Sequence, residues 1–343
     1  MTADEGSAPA RERGWLAPLA ALLVLVMATT LSAPRIVVPV GDILLVLAPV
    51  TAACAIAGWR VGGRLPLAVI WTAFAVWVLW SSPGAPGLYG DLMRGWAVLL
   101  ALAFGVTVSL QWRSGFLPNA LLALTAAMIV GGAALLLAPG GPAGAAELVT
   151  TEIGRRAARA TSEWTELTGT PEWLDLVRQS PGWGTYGETV QAQLTTLPTL
   201  ALRYFPALFA LQSLAILALG WAVYHRVGRA RLGPPLARLR DLRFHEAMAW
   251  GVVTGLALVV LPLQGAGRDL GLNLLLFFGV LFALRGLGVL VWFLSPGKLM
   301  TALLVLFAVL FWPVVVTVSA GLGLGDTWFD WRRASQRRSQ RSE

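Results

Sequence analysis

Residues 272–294, LNLLLFFGVLFALRGLGVLVWFL, carry one charged side chain, Arg285. A stretch this long and apolar has few folding options, because about 20 apolar residues are what a helix needs to cross a bilayer. It belongs to a set of nine apolar segments at about 15–33, 38–58, 65–80, 95–110, 117–138, 204–225, 244–263, 269–294 and 299–320. Each must satisfy its own backbone in lipid, so each is expected to be helical. The alternation of a membrane β-barrel is absent. The expected fold class is therefore all-α: a polytopic transmembrane bundle of about eight or nine spans, in contact with lipid. Only 13% of the residues are charged, about half the share in a soluble domain. Trp15, Trp59, Trp80, Trp96, Trp112, Trp221, Trp250 and Trp292 fall near segment ends, where an interfacial aromatic belt is expected.

The segments sort the chain into an N-terminal stretch (1–14), a first membrane block (15–138), a large extramembrane piece (139–203), a second membrane block (204–320) and a glycine-rich turn with a basic tail (321–343). The first apolar run exceeds the usual length of a signal-peptide core, so it reads as a span. With the N-terminus in the cytoplasm, the inside loops hold Arg11, Arg13, Arg60, Arg64, Arg113, Arg226, Arg229, Arg231, Arg238, Arg240, Arg243 and Lys298. The short outside loops hold Arg35, Arg94 and Arg268. Twelve against three favours the N-in orientation. The tail conflicts with it: nine crossings would export Arg332, Arg333, Arg337, Arg338 and Arg341. Either the tail is exported, or a late segment re-enters, or a boundary is misplaced.

The same rule accounts for the net charge of +8, and no recognition motif accompanies it, so no nucleic-acid partner is expected. Cys54 is the single cysteine; it forms no internal disulfide and reads as a packed thiol. His225 and His245 are too few for a histidine metal site. The sequence lacks the serine-hydrolase elbow, the zinc-protease helix and the phosphate-binding loop. Gly321–Gly325 follows a span rather than a strand and reads as that span's end. No enzymatic activity, metal or cofactor is expected. Asp42 is an acid placed within an apolar run, near its beginning.

In the extramembrane piece Ile153, Ala157, Ala160, Trp164 and Leu167 are spaced four and three apart, one face of a helix. Thr170-Pro171-Glu172 reads as a second helix start: a cap, a proline in the first turn and an acid favoured by the dipole. The insert is expected to be a helical appendage, on the bilayer surface or over the bundle, and dispensable for insertion.

Arg285 is the residue this plan does not explain. A central arginine costs roughly 2.5–3.5 kcal/mol to insert, and such residues normally face protein or a wet cavity. Gly279, Ala283 and Gly286 make a small-residue stripe beside it, where another helix can approach; Gly251 and Gly255 do the same in the seventh segment. Gln212, Ser213 and Thr254 are polar groups at similar depth. Two roles are open. Arg285 locks the packing, held by backbone carbonyls and side chains such as Gln212; or it is the counter-charge of a small anionic ligand, whose carboxylate or phosphate suits its planar fork.

The ending 321-GLGLGDTWFDWRR-333 (with Asp326, Trp328, Phe329 and Asp330), the region 278-FGVLFALRGLGVLVWF-293 and 205-FPALFALQS-213 resemble the YybS-like bacterial membrane proteins, a family of unknown function. So does the order of five spans, a helical extramembrane piece and further spans. Where that family carries a neutral polar residue before the Gly–Leu step, this chain has Arg285. The family is distantly similar to substrate-binding membrane components of energy-coupling-factor transporters, which dock on a membrane partner through small residues of the first span; Ala17 and Ala21 fit that place. The resemblance implies a bacterial inner-membrane protein with a transport-type substrate-binding or accessory function. The alternative is a non-catalytic envelope scaffold or interaction protein.

The charge asymmetry puts the 226–243 loop in the cytoplasm and 140–203 outside. A membrane-impermeant thiol reagent applied to intact cells is expected to label a cysteine placed at Ser162 and to spare one placed at Leu236; the reverse pattern contradicts the orientation.

Overall fold

The computed structural model describes residues 40–81, 87–110, 115–262, 265–294 and 297–332. The expected first span at 15–33, with Ala17 and Ala21, and the tail beyond Arg332 lie outside them. Among the described residues the fold is all-helical, with no strand. The helices are α1 (Val40–Arg60), α2 (Leu65–Ser81), α3 (Leu88–Ser109), α4 (Phe116–Leu137), α5 (Gly141–Thr168), α6 (Pro171–Gln179), α7 (Gly182–Arg203), α8 (Phe205–Val227), α9 (Ala249–Val260), α10 (Ala266–Leu294), α11 (Lys298–Leu310) and α12 (Trp312–Phe329).

Five of them (α1, α3, α4, α8 and α10) are long and apolar enough to cross a bilayer, or six spans if α11 and α12 are counted as one broken span. The sequence led us to expect eight or nine. The difference has physical sources besides the undescribed first segment. Helix α2 has 17 residues, about 25 Å, short of a hydrocarbon core of about 30 Å. Helix α9 has 12, because the chain before it runs through two short 3-10 turns, Leu239–Asp241 and Glu246–Met248, instead of one continuous helix. Helices α11 and α12 meet at a bend of 105°, where Phe311 leaves helical geometry and Pro313 starts the next helix.

The chain divides into two compact units. The first comprises the described residues up to Pro198 together with 216–233, the second half of α8 and the loop after it. Its centre is α1, whose Leu45, Val46, Val50, Thr51 and Cys54 are buried. Gly220 of α8 faces Val50, and Gly105 of α3 faces Ala53. Trp221 is fully buried, edge-on to Phe104 and tilted on Phe116 at about 6 Å. That corrects its expected place in the interfacial belt: periodicity cannot tell a tryptophan at a helix end from one turned into a core. Trp59, Trp80 and Trp250 are exposed, as a belt requires. The insert has a small core of its own, in which Ala160 and Trp164 of α5 meet Leu194 of α7, with Trp173 of α6 against them. Ile153 and Ala157 of the expected face are buried as well, whereas Leu167 is exposed. Thr170 caps α6, accepting from the Trp173 amide at 3.3 Å.

The second unit comprises 199–215 and the described residues from Pro234 on. Helix α10, about 44 Å long, is its axis. Segment 239–260 runs antiparallel to it: Leu239 lies at Gly288, Phe244 on Phe282, Gly251 against Phe278 and Gly255 against Gly271. Helix α12 also packs antiparallel on α10, with Ser319 at Gly286 and Gly323 at Phe282. At the α7–α8 junction, Asn273 accepts from the Ala207 amide and donates to the carbonyls of Arg203 and Asp269 at 2.8–3.0 Å.

The small-residue stripe is thus placed unevenly. Ala283 is buried and a Cβ at Gly286 would run into the Ser319 carbonyl, but a Cβ at Gly279 meets nothing within 4 Å. Nor does the Gly321–Gly325 run end the last helix; α12 continues to Phe329, and Gly323 is where its backbone touches the Phe282 carbonyl. Gly286→Ala and Gly323→Ala are each expected to cost about 1–3 kcal/mol through overpacking. Gly279→Ala is expected to be neutral or stabilising by up to about 1 kcal/mol. Melting of the purified variants in detergent checks this, and a costly Gly279→Ala beside a tolerated Gly286→Ala would contradict the seam.

Candidate functional site

The deep arginine and the C-terminal motif form one cluster. Arg285 lies roughly 7 Å past the middle of α10, on the side that faces α12 and segment 239–248. Its Nε donates to Asp326 Oδ2 at 3.0 Å, one terminal nitrogen to the Asp326 carbonyl at 3.0 Å, and the other to the Phe244 carbonyl at 3.1 Å. The Phe244 ring lies under the guanidinium, 5.2 Å from its centroid, a favourable cation–π placement. Arg332 approaches Asp326 from beyond the end of α12. It donates to the same Oδ2 at 2.7 Å and to the carbonyls of Arg240 and Leu242 at 2.8 and 3.2 Å. Asp326 is 0% exposed, Arg332 2% and Arg285 6%.

The local sequence explains how three segments meet here. Helix side chains lean toward their own N-terminus, so Arg285 reaches back along α10 toward the level where antiparallel α12 presents Asp326. Asp330 then adopts the left-handed conformation, φ 38°, while its amide bonds the Asp326 carbonyl. That turns the chain so that Arg332 faces α12 again. Segment 242–245 is not helical, and its carbonyls have no helix ladder to satisfy them. The two guanidiniums supply donors to Arg240, Leu242 and Phe244, which makes irregular backbone tolerable inside a membrane protein.

The cluster has a formal charge of +1, from two arginines and one carboxylate, with four backbone carbonyls aimed at the cations. Asp326 Oδ1 is buried without a hydrogen-bond partner among the described residues, and so is Ser319 Oγ. They lie two turns apart on one face of α12. Gln212 is half-buried and Thr254 exposed, while Ser213 is buried; none of them bonds Arg285. Trp328 and Phe329 are exposed, so Asp326 alone of the four motif residues enters the cluster, and Asp330 pairs with Arg243 at 3.4 Å. Sequence reasoning overlooked Arg332 by counting it with the basic tail.

A second polar centre lies in the first unit. Asp42, 3% exposed near the start of α1, accepts from Arg156 of α5 at 2.9 Å. Arg156 also donates to Glu152 at 2.7 Å and lies over the Tyr89 ring of α3. Arg155 holds the other side of Glu152 through two bonds at 2.8–2.9 Å. Burial pushes the Glu152 carboxyl up, but the hydrogen bonds and charges of the two arginines outweigh it, and its pKa lies below the ordinary value. The buried Asp42 thus has its cation on α5, at the contact between the 139–203 piece and α1. The signal was present: a buried acid on α1 needs a cation, and Glu152 and Arg156 are an i,i+4 pair.

Residues 172–327 match the family model of a predicted membrane protein, DUF2232. The match runs from α6 into the last turn of α12 and includes Arg285 and Asp326, though not Arg332. With the apolar helices it supports a membrane protein. No curated protein and no solved structure matches the chain. Among the described residues no group of three metal-ligating side chains is assembled.

Removing the carboxylate leaves two buried cations facing each other, whereas removing Arg285 leaves the Arg332–Asp326 pair. Asp326→Asn is therefore expected to be the most damaging single change in the cluster, about 3–5 kcal/mol. Arg285→Gln, which can still bond a carbonyl, is expected to cost about 1–3 kcal/mol. Melting of the two variants in detergent decides, and equal or reversed costs would contradict the shared-carboxylate arrangement.

Proposed function

We propose that this chain is a non-catalytic accessory or scaffold component of a bacterial cytoplasmic membrane, N-terminus inside, and that Arg285 is a structural latch. The observation that carries this reading is the engagement of Arg285: its charge faces a carboxylate, and its nitrogens bond Asp326 and Phe244. An anionic substrate would have to displace Asp326, which is fully buried and also held by Arg332. The open valence in the cluster, Asp326 Oδ1, is an acceptor, and an acceptor repels an anion.

The resemblance to YybS-like proteins, and through them to energy-coupling-factor components, supports the accessory half of the proposal: a membrane partner docked through small residues of the first span, such as Ala17 and Ala21. It supports anion transport through Arg285 less well, for the reason just given. The N-in orientation rests on the arginine asymmetry of the loops.

Mass action discriminates between the readings, since a ligand present at 100 times its Kd stabilises the folded state by about 2.7 kcal/mol. The purified wild-type protein is expected to show no melting shift with a panel of small anionic metabolites and vitamins. A shift that is present in the wild type and absent in Arg285→Gln would overturn the latch and restore a substrate-binding role.

A further inference from the structure

The connection between α1 and α2 is tightly built. Gly62, at φ +95°, closes a Schellman motif in which the Gly63 amide bonds the Gly58 carbonyl at 2.8 Å and the Gly62 amide bonds Trp59 at 3.2 Å. The hydroxyl end of Tyr224 of α8 packs on Gly58, which has no side chain to block it, and the hydroxyl donates to the Ala230 carbonyl. These fixed pieces bound a cavity of about 240 Å³ whose lining includes Arg64, Arg229, Trp59 and Tyr224. Arg64 and Arg229 are exposed and form no ion pair among the described residues. The surrounding sequence offers them little: no Asp or Glu occurs between Asp42 and Asp91, or between Glu188 and Asp241.

An apolar groove of about 770 Å³ adjoins the cavity and shares Trp59 with it. It runs between α1 and α2, lined by Ile56, Leu65, Val69, Val76, Trp77 and Trp80 among others, without a charged side chain. Its residues on α2 are largely exposed. A cationic pocket continuous with an apolar channel matches one kind of molecule, an amphiphile with an anionic head and a hydrocarbon tail. The pocket is smaller than the roughly 300–1,000 Å³ that encloses a whole metabolite. Paired guanidiniums suit a phosphate, and Trp59 at the junction suits the headgroup level.

We propose that the α1–α2 face binds an anionic glycerophospholipid, with its phosphate at Arg64 and Arg229 and one acyl chain along the groove. The site differs from the Arg285 cluster in unit, chemistry and residues, and it does not depend on the function proposed above. Charge complementarity decides the occupant. A second copy of the chain or residues 15–33 could cover the apolar part, but an uncharged stretch such as 15–33 brings no anion to the two arginines.

The test is lipid retention by the full-length protein in nanodiscs, read by native mass spectrometry, with phosphatidylglycerol titrated into phosphatidylcholine. Phosphatidylglycerol is expected to be retained preferentially, and Arg64→Gln and Arg229→Gln are each expected to reduce the preference by about fivefold. Both arginines are exposed, so the melting temperature in detergent should stay unchanged, which separates lost binding from lost folding. Trp77→Ala is expected to lower retention of both lipids without changing their ratio. Equal retention of the two lipids, or a preference that survives both arginine substitutions, would overturn the proposal. So would displacement of phosphatidylglycerol by millimolar inorganic phosphate, which would assign the pocket to a soluble anion. Photo-crosslinking from position 69 to segment 15–33 or to a second copy, instead of to lipid, would overturn it as well.

Discussion

One carboxylate oxygen, Asp326 Oδ2, receives two guanidiniums, and the second unit is organised around that sharing. Buried ion pairs are poor sources of net stability, because desolvation consumes most of the Coulombic gain. Here the ions have another task as well. Segment 239–248 lies beside α10 without a continuous helix, and its carbonyls would be orphaned in an apolar interior. Arg285 and Arg332 turn those carbonyls into acceptors of charge-assisted bonds, and Asp326 holds both cations in place. Three elements that local sequence does not connect, α10, α12 and the stretch before α9, are thereby fixed in one register. Gly286, Gly288 and Gly323 let the backbones come close enough for the side chains to reach.

The first unit meets the same difficulty with the opposite sign. Its buried ion is the Asp42 carboxylate, and the neutralising cation, Arg156, comes from the insert. Glu152 and Arg155 extend the pair into a network of two acids and two arginines with no formal charge. Helix α5 is thereby fastened to α1. In both units a charge that looks out of place in an apolar helix has its partner far away in sequence, 41 residues for Arg285 and 114 for Asp42.

That separation is why the sequence was legible only in part. Long apolar runs announce helices, and α1, α3, α4, α8 and α10 lie where hydropathy puts them. The cap at Thr170 and the buried face of Ile153, Ala157, Ala160 and Trp164 could also be read, since capping and periodicity are local. Arg285 and Asp326 each stood out, one by depth and one by motif, but no helical wheel states that they touch. Gly279 and Gly286 look alike in a spacing argument, yet only Gly286 has a backbone against it. Apolar composition likewise cannot distinguish a continuous span from 244–263, where the helix starts only at Ala249, or from the 105° break between α11 and α12. The cavity at Arg64 and Arg229 left no local signal, because it is made by α1, α2 and α8 together.

The central claim is that Arg285 and Asp326 act as a pair, and a double-mutant cycle measures that directly. Arg285→Gln, Asp326→Asn and the combined variant would be compared by equilibrium unfolding in mixed micelles. The account predicts strong non-additivity, with an interaction energy of about 1–3 kcal/mol and a double variant less damaged than the sum of the singles. Additivity within about 0.5 kcal/mol would show that the two residues do not depend on each other, and would contradict the account.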